Sequence, residues 1–309
     1  MRIAGLHHVT AVAGDPQPIL SFYARRVGLR LIKQTVNFDA PDVYHFYFGN
    51  AEAAPGSVLT FFPFLDVAPG RAGHGAVTVV RYGVPEGALA RWMDRLADAA
   101  VDFDGPTERF GEQTISLVDP DGLRIELVGM AGLAAAPEAM HVPAEDAARR
   151  LHSVAIDLAE AGPTAALMTE LFGYEVAGEE GGYVRLVAAD GGFVELRAAP
   201  QEPRRRPGAG TVHHVAFRAR DDAELAAWRA AVGARGLAVT PIKDRKYFRS
   251  IYFREPGGVL FEIATDAPGF AVDESPETLG TRLMLPEWLE EERPHIERRL
   301  PPIDLPPHA

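Results

Sequence analysis

The sequence contains no cysteine among its 309 residues. This absence excludes disulfide bonds, thiolate nucleophiles, iron–sulfur clusters and cysteine-ligated zinc. A metal site in this chain must therefore be built from histidine, aspartate and glutamate side chains. Hydrophobic residues make up 47% of the chain, which is enough to bury a sizeable core.

The chain also lacks an excess of positive charge, because 31 Lys and Arg residues face 43 Asp and Glu residues and the net charge is −12. Nucleic acids and anionic membranes are bound through a positive face, so we expect neither as a partner. No uninterrupted apolar run reaches about 18 residues, and MRIAGLHHVT at the start lacks the basic-then-apolar pattern of a signal peptide. We therefore expect a cytoplasmic protein.

The chain contains four copies of one short pattern, in which apolar and β-branched residues alternate as they do in a β-strand. A helix-like stretch follows each copy. The first such stretch begins at Asp15-Pro16, where aspartate can cap the helix and proline suits its first turn. Glycines suited to ending a helix are Gly28, Gly173 and Gly236. The strand-like copies are HHVT at 7–10, GAVTV at 75–79, HSVAI at 152–156 and HHVAF at 213–217.

Each unit ends in another strand-like run, and two of these runs follow the similar turn sequences DPDG and EPGG. We therefore predict an α+β fold of four βαβββ modules, which span residues 1–68, 72–131, 150–200 and 211–268. Pairs of modules would form an N-terminal domain, residues 1–131, and a C-terminal domain, residues 150–268. An Ala/Pro-rich linker would occupy residues 132–149. A proline-rich tail, residues 269–309, contains a candidate helix near 287–293 and is expected to pack over the surface or a neighbouring subunit.

Superposing the four modules predicts where a metal could bind. Modules 1 and 4 alone combine two histidines with one carboxylate, namely His8, His214 and Glu262, and they leave Thr60 in the fourth position. Two histidines and one carboxylate with open coordination positions are the set expected of non-haem Fe(II) oxygenases. In module order, the second position of the opening strand is His8, Ala76, Ser153 and His214, and the middle of the closing strand is Thr60, Glu126, Glu195 and Glu262.

The neighbouring histidines and the other glutamates are predicted not to be ligands. Successive side chains of a strand point to opposite faces, so His7 and His213 would adjoin the ligands rather than join them. Glu126 and Glu195 lie in modules without partner histidines, and we expect them to be ion-paired or solvated. His45, in VYHFYF, could line the same cavity or could serve packing alone, and it receives no role.

Two long stretches resemble the vicinal oxygen chelate superfamily of glyoxalases, bleomycin-resistance proteins and extradiol dioxygenases. They are similar to the hydroquinone ring-cleaving branch of that superfamily. The resemblance implies two domains with open β-barrel-like sheets and Fe(II), with Mn(II) as an alternative ion, held by His8, His214 and Glu262. It also implies a small aromatic substrate and O₂ as partners. The stretches are LHHVTAVAGDPQPILSFYARRVGLRLIKQTVNFDAPDVYHFYFGN and DRKYFRSIYFREPGGVLFEIATDAPGF.

The resemblance further implies roles for the side chains around the metal. Tyr252 would exchange a proton with the substrate oxygen, and His213 would act as an acid or base. Arg245 would hold a phenolate or a developing carboxylate. The substrate pocket would also include Thr10 and His7.

Several alternatives remain open at this point. A glyoxalase-type isomerase or lyase would use the same fold, but such sites usually hold their metal with four protein ligands, which Thr60 does not suit. A protein that sequesters a small aromatic or drug-like molecule commonly lacks the metal residues. Tyr252 could serve packing alone, and Arg245 could simply pair with Asp244 or Glu255. Either enzyme could be a homo-oligomer, and aromatic degradation and quinone detoxification are both suitable pathways.

Overall fold

The structure is a computed structural model that describes residues 1–133 and 142–305. The described residues form sixteen strands and five α-helices. The strands are β1 Leu6–Ala13, β2 Arg30–Asn37, β3 Ala40–Gly49, β4 Val58–Pro63, β5 Ala76–Pro85, β6 Phe103–Arg109, β7 Glu112–Val118, β8 Arg124–Met130, β9 Arg150–Leu158, β10 Glu175–Glu180, β11 Tyr183–Val187, β12 Phe193–Ala198, β13 Thr211–Ala219, β14 Lys243–Asp244, β15 Phe248–Arg254 and β16 Leu260–Pro268. The helices are α1 Pro16–Ser21, α2 Leu89–Asp98, α3 Gly162–Ala166, α4 Asp222–Ala234 and α5 Arg293–Arg299.

Shorter helical turns extend several of these helices. A π-helical turn continues α1 over Phe22–Arg26 and another continues α3 over Leu167–Leu171. Turns of 3₁₀-helix lead into α2 and α5, over Glu86–Ala88 and Glu287–Glu292, and a further turn lies at Phe270–Val272. No helix in the two described ranges is long and apolar enough to cross a membrane.

The four predicted modules are confirmed, because each consists of one strand, one helix and three further strands. Local signals account for this regularity. The carboxylate of Asp15 accepts a hydrogen bond from Gln17 N at 2.9 Å, and that of Asp221 accepts one from Glu224 N at 2.8 Å. Both contacts satisfy an amide at a helix start that has no partner within the helix. After the first helix, Gly28 adopts a φ of 73°, a conformation that few other residues tolerate.

The modules pair across the two halves of the chain to form two eight-stranded, curled sheets. The first sheet has the strand order β14-β15-β16-β13-β1-β4-β3-β2 and therefore combines modules 4 and 1. The second has the order β10-β11-β12-β9-β5-β8-β7-β6 and combines modules 3 and 2. An antiparallel pair of opening strands, β1 with β13 and β5 with β9, lies at the centre of each sheet.

The predicted boundaries between domains fall between strands β8 and β9. Each sheet nevertheless takes strands from both 1–131 and 150–268, so neither half of the chain completes a sheet alone. The division of the chain at these boundaries stays a prediction. The predicted linker, 132–149, lies partly outside the described residues, since 134–141 are not among them.

Alternation along the strands separates a hydrophobic core from a polar concave face. In β1, Val9 and Ala11 are fully buried in the core, while His8 and Thr10 point to the opposite side of the sheet. Helix α4 covers the core side of β13, β15 and β16. The polar concave face of the first sheet is thereby left for a functional site.

The tail packs on the first module of its own chain. Lys33 of β2 is fully buried and pairs with Asp273 at 2.7 Å and with Glu274. Further along the tail, Met284 N donates to Gln34 O at 2.9 Å. The predicted charged helix corresponds to Glu287–Glu292 together with α5.

Candidate metal centre and its pocket

Three strands of the first sheet bring His8, His214 and Glu262 together. Atom Oε2 of Glu262 lies 2.8 Å from His214 Nε2 and 3.2 Å from His8 Nε2, and the two Nε2 atoms are 3.3 Å apart. All three side chains are buried. They are the one cluster of His, Asp and Glu with ligand-like spacing among the residues that the structure describes.

The strand register explains this convergence. Strand β1 lies between β13 and β4, and β13 lies between β1 and β16. Thr10 of β1 is opposite His214 of β13, and Ala216, two residues further along β13, is opposite Glu262 of β16. Residues two apart on a strand share a face, so both pairings place the three side chains on the concave side.

The donor atoms have the spacing and the chemistry of a metal site. Neither carboxylate oxygen of Glu262 accepts a hydrogen bond, although both are buried. Burial opposes ionisation, but His8 and His214 outweigh it and hold the pKa of Glu262 well below its usual range. Ligands about 2.1 Å from one ion and at right angles lie roughly 3 Å apart, close to the spacing found here. These three residues fit a divalent metal such as Fe(II).

The His7–His8 pair leaves the inner nitrogen of His8 free of a proton. His7 Nε2 lies 3.2 Å from the carbonyl oxygen of Thr265, which can only accept, so His7 donates there. His7 Nδ1 then accepts from His8 Nδ1, 2.8 Å away. In the neutral imidazole that a metal requires, His8 therefore carries its proton on Nδ1, and Nε2 has a lone pair on the Glu262 side.

A second pair repeats this contact. His213 Nδ1 lies 2.8 Å from His214 Nδ1. His213 is partly exposed, and the desolvation of its inner side lowers its pKa below the usual value. A neutral His213 can accept a hydrogen bond from Nδ1 of His214, and Nε2 of a neutral His214 then has a lone pair for a metal. The role of His213 as acid or base stays a prediction.

Tyr252 and Arg245 form the side of the pocket next to Glu262. Tyr252 is opposite Glu262 in the β15–β16 pair, and Arg245 Nε donates to the Tyr252 oxygen at 3.3 Å. Arg245 Nη2 also donates to Asp39 Oδ2 at 2.9 Å. The ion pair of Arg245 is thus with Asp39, and neither Asp244 nor Glu255, the two alternatives considered from sequence, pairs with it in the described structure. Burial raises the pKa of Tyr252, so its hydroxyl stays protonated.

Two of the three candidate ligands, His8 and His214, line a cavity of about 240 Å³ whose walls are mainly aromatic, and Glu262 is in contact with both of them. Sequence reasoning missed most of these walls. The alternation of VYHFYF was a signal for His45 and Tyr47, which share the concave face, but nothing local indicated that Asp39 would reach Arg245. The cavity is lined by His8, Asn37, Phe38, Asp39, His45, Tyr47, Phe62, Phe64, His213, His214, Arg245, Phe248 and Tyr252.

Thr10 and Thr60 lie beneath the pocket and are hydrogen-bonded to one another. Thr60 Oγ1 donates to Thr10 Oγ1 at 2.8 Å, and His45 Nε2 lies 2.8 Å from Thr60 Oγ1. The hydroxyl of Thr60 is therefore hydrogen-bonded to both Thr10 and His45. His7 is buried behind His8 and against Phe248, and it is not among the residues that line the cavity.

In the second sheet, arginines occupy the corresponding concave face. Arg81 pairs with Glu126 at 2.5 Å and also with Glu195. Glu195 further accepts from Arg109 at 2.8 Å and from Arg185 at 2.7 Å. Both glutamates are thus ion-paired, as the sequence predicted, and the guanidinium groups fill the space that the metal ligands border in the first sheet.

One equivalence drawn from the repeats was wrong. Val79, and not Ala76, corresponds to His8. Val79 lies two residues before Arg81, which is opposite Glu126 of its closing strand, and His8 likewise lies two residues before Thr10, which is opposite Thr60. The β5–β9 pair is irregular between Val77 and Val79 as the β1–β13 pair is between Leu6 and His8, so the two strands match in structure and the sequence comparison had placed β5 three residues too early. Neither Val79 nor Ala76 is a histidine, so module 2 still supplies no imidazole.

Comparison with known proteins gives consistent matches. Residues 5–127 and 150–263 match the family model of the glyoxalase/bleomycin resistance protein/dioxygenase superfamily. The Bacillus subtilis protein MhqO, named as a ring-cleaving dioxygenase, is 45% identical over 98% of both chains. The chlorohydroquinone/hydroquinone 1,2-dioxygenase of Sphingobium indicum is 36% identical over 94% of this chain and 93% of its own.

Solved structures agree with these matches. The crystal structure of a Bacillus subtilis protein described as a dioxygenase superposes with a TM-score of 0.94, at 42% identity and over 99% of both chains. Glyoxalase I from Zea mays superposes with a TM-score of 0.61 over 85% of this chain and 92% of its own. At 13% identity, the maize enzyme shares the fold alone.

Proposed function

Because the chain belongs to the glyoxalase/bleomycin resistance protein/dioxygenase superfamily, we propose that it is an Fe(II)-dependent dioxygenase that cleaves the rings of hydroquinone-type or catechol-type aromatics. One observation carries this proposal. The ligand atoms of His8, His214 and Glu262 converge, and two of these residues, His8 and His214, also line an aromatic-walled cavity. Open coordination positions allow a substrate oxygen and O₂ to bind together.

The residues around the triad suit a phenolic substrate. When bound, Fe(II) would act as a Lewis acid toward the substrate oxygen and would supply electrons to O₂. Arg245 places a fixed positive charge at the cavity, where a phenolate would be stabilised. Because Arg245 Nε donates to the Tyr252 oxygen, the hydroxyl hydrogen of Tyr252 is available to a substrate oxygen.

The dimensions of the cavity favour a small substrate. A volume of about 240 Å³ is below the roughly 300–1,000 Å³ of pockets for larger ligands. The cavity therefore suits a single substituted ring better than a glutathione conjugate. In addition, Thr60 is engaged with Thr10 and His45 and contributes no fourth ligand, which is a second argument against the glyoxalase-type reaction.

Oxygen consumption by iron-loaded protein tests this proposal. We expect one O₂ to be consumed for each hydroquinone, with loss of the ring absorbance and no requirement for glutathione or a nicotinamide cofactor. The protein would be purified without air, its iron content measured, and a panel of hydroquinones and catechols supplied. Iron-loaded protein that consumes no O₂ with any of them, yet isomerises a glutathione hemithioacetal, would contradict the dioxygenase assignment.

A further inference from the structure

His45 is a polar side chain in an otherwise aromatic section of the cavity wall. It lies on β3 and is 92% buried, and its ring contacts those of Tyr47 and Phe62, with centroids 4.0 Å and 4.3 Å away. Strand β3 is separated from β1, which carries His8, by β4 alone. His45 therefore faces the cavity from two strands away from the metal ligand.

The hydrogen bonds beneath His45 determine which ring nitrogen carries its proton. Thr60 has a single hydroxyl hydrogen, and it donates that hydrogen to Thr10. The Thr60 oxygen can then only accept from His45 Nε2, so Nε2 bears the proton. Nδ1 of His45 consequently has a lone pair and is an acceptor.

This acceptor has no use within the protein. Among the residues that the structure describes, Nδ1 of His45 has no hydrogen-bond partner. Burial lowers the pKa of His45 well below its usual value, so the lone pair is retained at neutral pH. His45 lines the cavity, and its Nδ1 is therefore open to a hydrogen-bond donor on a ligand there.

We propose that His45 Nδ1 accepts a hydrogen bond from the hydroxyl group that lies para to the metal-bound oxygen of the substrate. This inference rests on the proposed function and narrows its substrate class to para-dihydroxybenzenes. His45 lines the same cavity as His8 and His214, from a strand two spacings, or about 10 Å, away from β1, and a single benzene ring with an oxygen at each end is of a size to fit in that cavity. The second hydroxyl of a catechol lies next to the first, and it cannot reach His45 while the first is bound to the metal.

Anaerobic calorimetric titration of the Fe(II)-loaded protein tests this assignment. Hydroquinone would be compared with 4-methoxyphenol, which has an oxygen at the para position but no hydrogen to donate. We expect the wild-type protein to bind hydroquinone roughly five- to tenfold more tightly, the effect of one net hydrogen bond. His45→Phe keeps an aromatic ring in the wall but has no acceptor, and we expect the preference to fall to about onefold with affinity for 4-methoxyphenol near that of the wild type.

Matched variants separate this role from packing. Phe62→Leu alters the same wall without removing a polar atom, so it would weaken both phenols and retain their ratio. His45→Gln has both an amide N–H that can donate to Thr60 and an amide oxygen that can accept, so it should retain more of the ratio than His45→Phe does. Iron content and the melting temperature would be measured for each variant, so that the comparison is made between folded, iron-loaded proteins.

The outcomes distinguish this inference from the proposed function. A wild-type protein that consumes O₂ with hydroquinone, combined with an unchanged preference in His45→Phe, would overturn the role of His45 alone. A wild-type protein that neither binds hydroquinone nor consumes O₂ with it would overturn both.

Discussion

At the residue scale, the site depends on two consecutive histidines on each of two strands. In each pair the first imidazole lies 2.8 Å from Nδ1 of the second. This contact fixes the ring orientation of His8 and His214 before any metal arrives, and such outer hydrogen bonds also raise the basicity of the ligand nitrogen. His7 and His213 therefore belong to the site although they are not ligands.

Replacing Glu262 by Gln should remove most of the iron. The change keeps the shape of the side chain but removes the one negative charge among the three ligands, and we expect iron to bind at least about tenfold more weakly. Metal analysis after anaerobic dialysis measures this. Glu126→Gln is the matched control, because Glu126 pairs with Arg81 in the other sheet, and it should retain the iron of the wild-type protein.

Tyr252→Phe should separate substrate handling from metal binding. The variant loses the hydroxyl that receives the Arg245 hydrogen bond and faces the cavity, so we expect kcat to fall by on the order of a hundredfold while iron content is unchanged. Oxygen uptake and metal analysis would be performed on the same preparation. Tyr44→Phe, whose hydroxyl donates to Pro301 O instead, should leave both values near those of the wild type. Loss of iron from Tyr252→Phe would refute the assigned role.

At the element scale, the tail is held on the first module by a buried charge. The Lys33 ammonium lies between Asp273 and Glu274, and its Nζ atom is 4.9 Å from the centroid of the Tyr247 ring. Phe270, just before these acids, contacts Tyr47 with ring centroids 5.1 Å apart. Since Tyr47 lines the cavity, the tail supports the pocket from behind.

Lys33→Met should destabilise the fold. It leaves Glu274 buried with no cation, which costs about 3–5 kcal/mol of unfolding free energy. Urea unfolding followed by fluorescence measures the loss. The double variant Lys33→Met/Glu274→Leu removes both buried charges and should recover part of the stability, whereas equal losses in the single and double variants would show that packing, and not the unpaired charge, dominates.

The predictable part of the fold is the part encoded locally. Caps such as Asp15 and alternation within each strand indicated the four modules, and the repeat comparison identified His8, His214 and Glu262. The equivalence in β5 was misplaced by three residues because its run of small and β-branched residues, GAVTV, has no histidine to anchor the comparison. The Asp39–Arg245 pair joins residues 206 positions apart, and only the folded sheet brings such residues together.

At the scale of the whole molecule, two similar sheets use their concave faces differently. The first holds an unpaired set of metal ligands, while the second satisfies its buried glutamates with three arginines. A buried carboxylate is costly unless a cation neutralises it. Guanidinium groups perform this function in one sheet, and a metal ion would perform it in the other.

Iron binding should therefore stabilise the molecule with a stoichiometry of one. Iron at about 100 times its dissociation constant should raise the unfolding free energy by about 2.7 kcal/mol, and hence the melting temperature by a few degrees. Anaerobic thermal melts at increasing Fe(II) measure the shift. The shift should be absent in Glu262→Gln, and tight binding of two iron ions per chain would contradict the difference between the sheets.

The pairing of the first module with the last has a consequence for synthesis on the ribosome. His8 and His214 are 206 positions apart, and a ribosome needs on the order of 10–40 s to translate that interval. Throughout this time the nascent chain contains only one of the three ligands, His8, and a single imidazole binds iron weakly. We therefore expect the chain to acquire its iron, and with it any reactivity toward O₂, only after the last module has been synthesised.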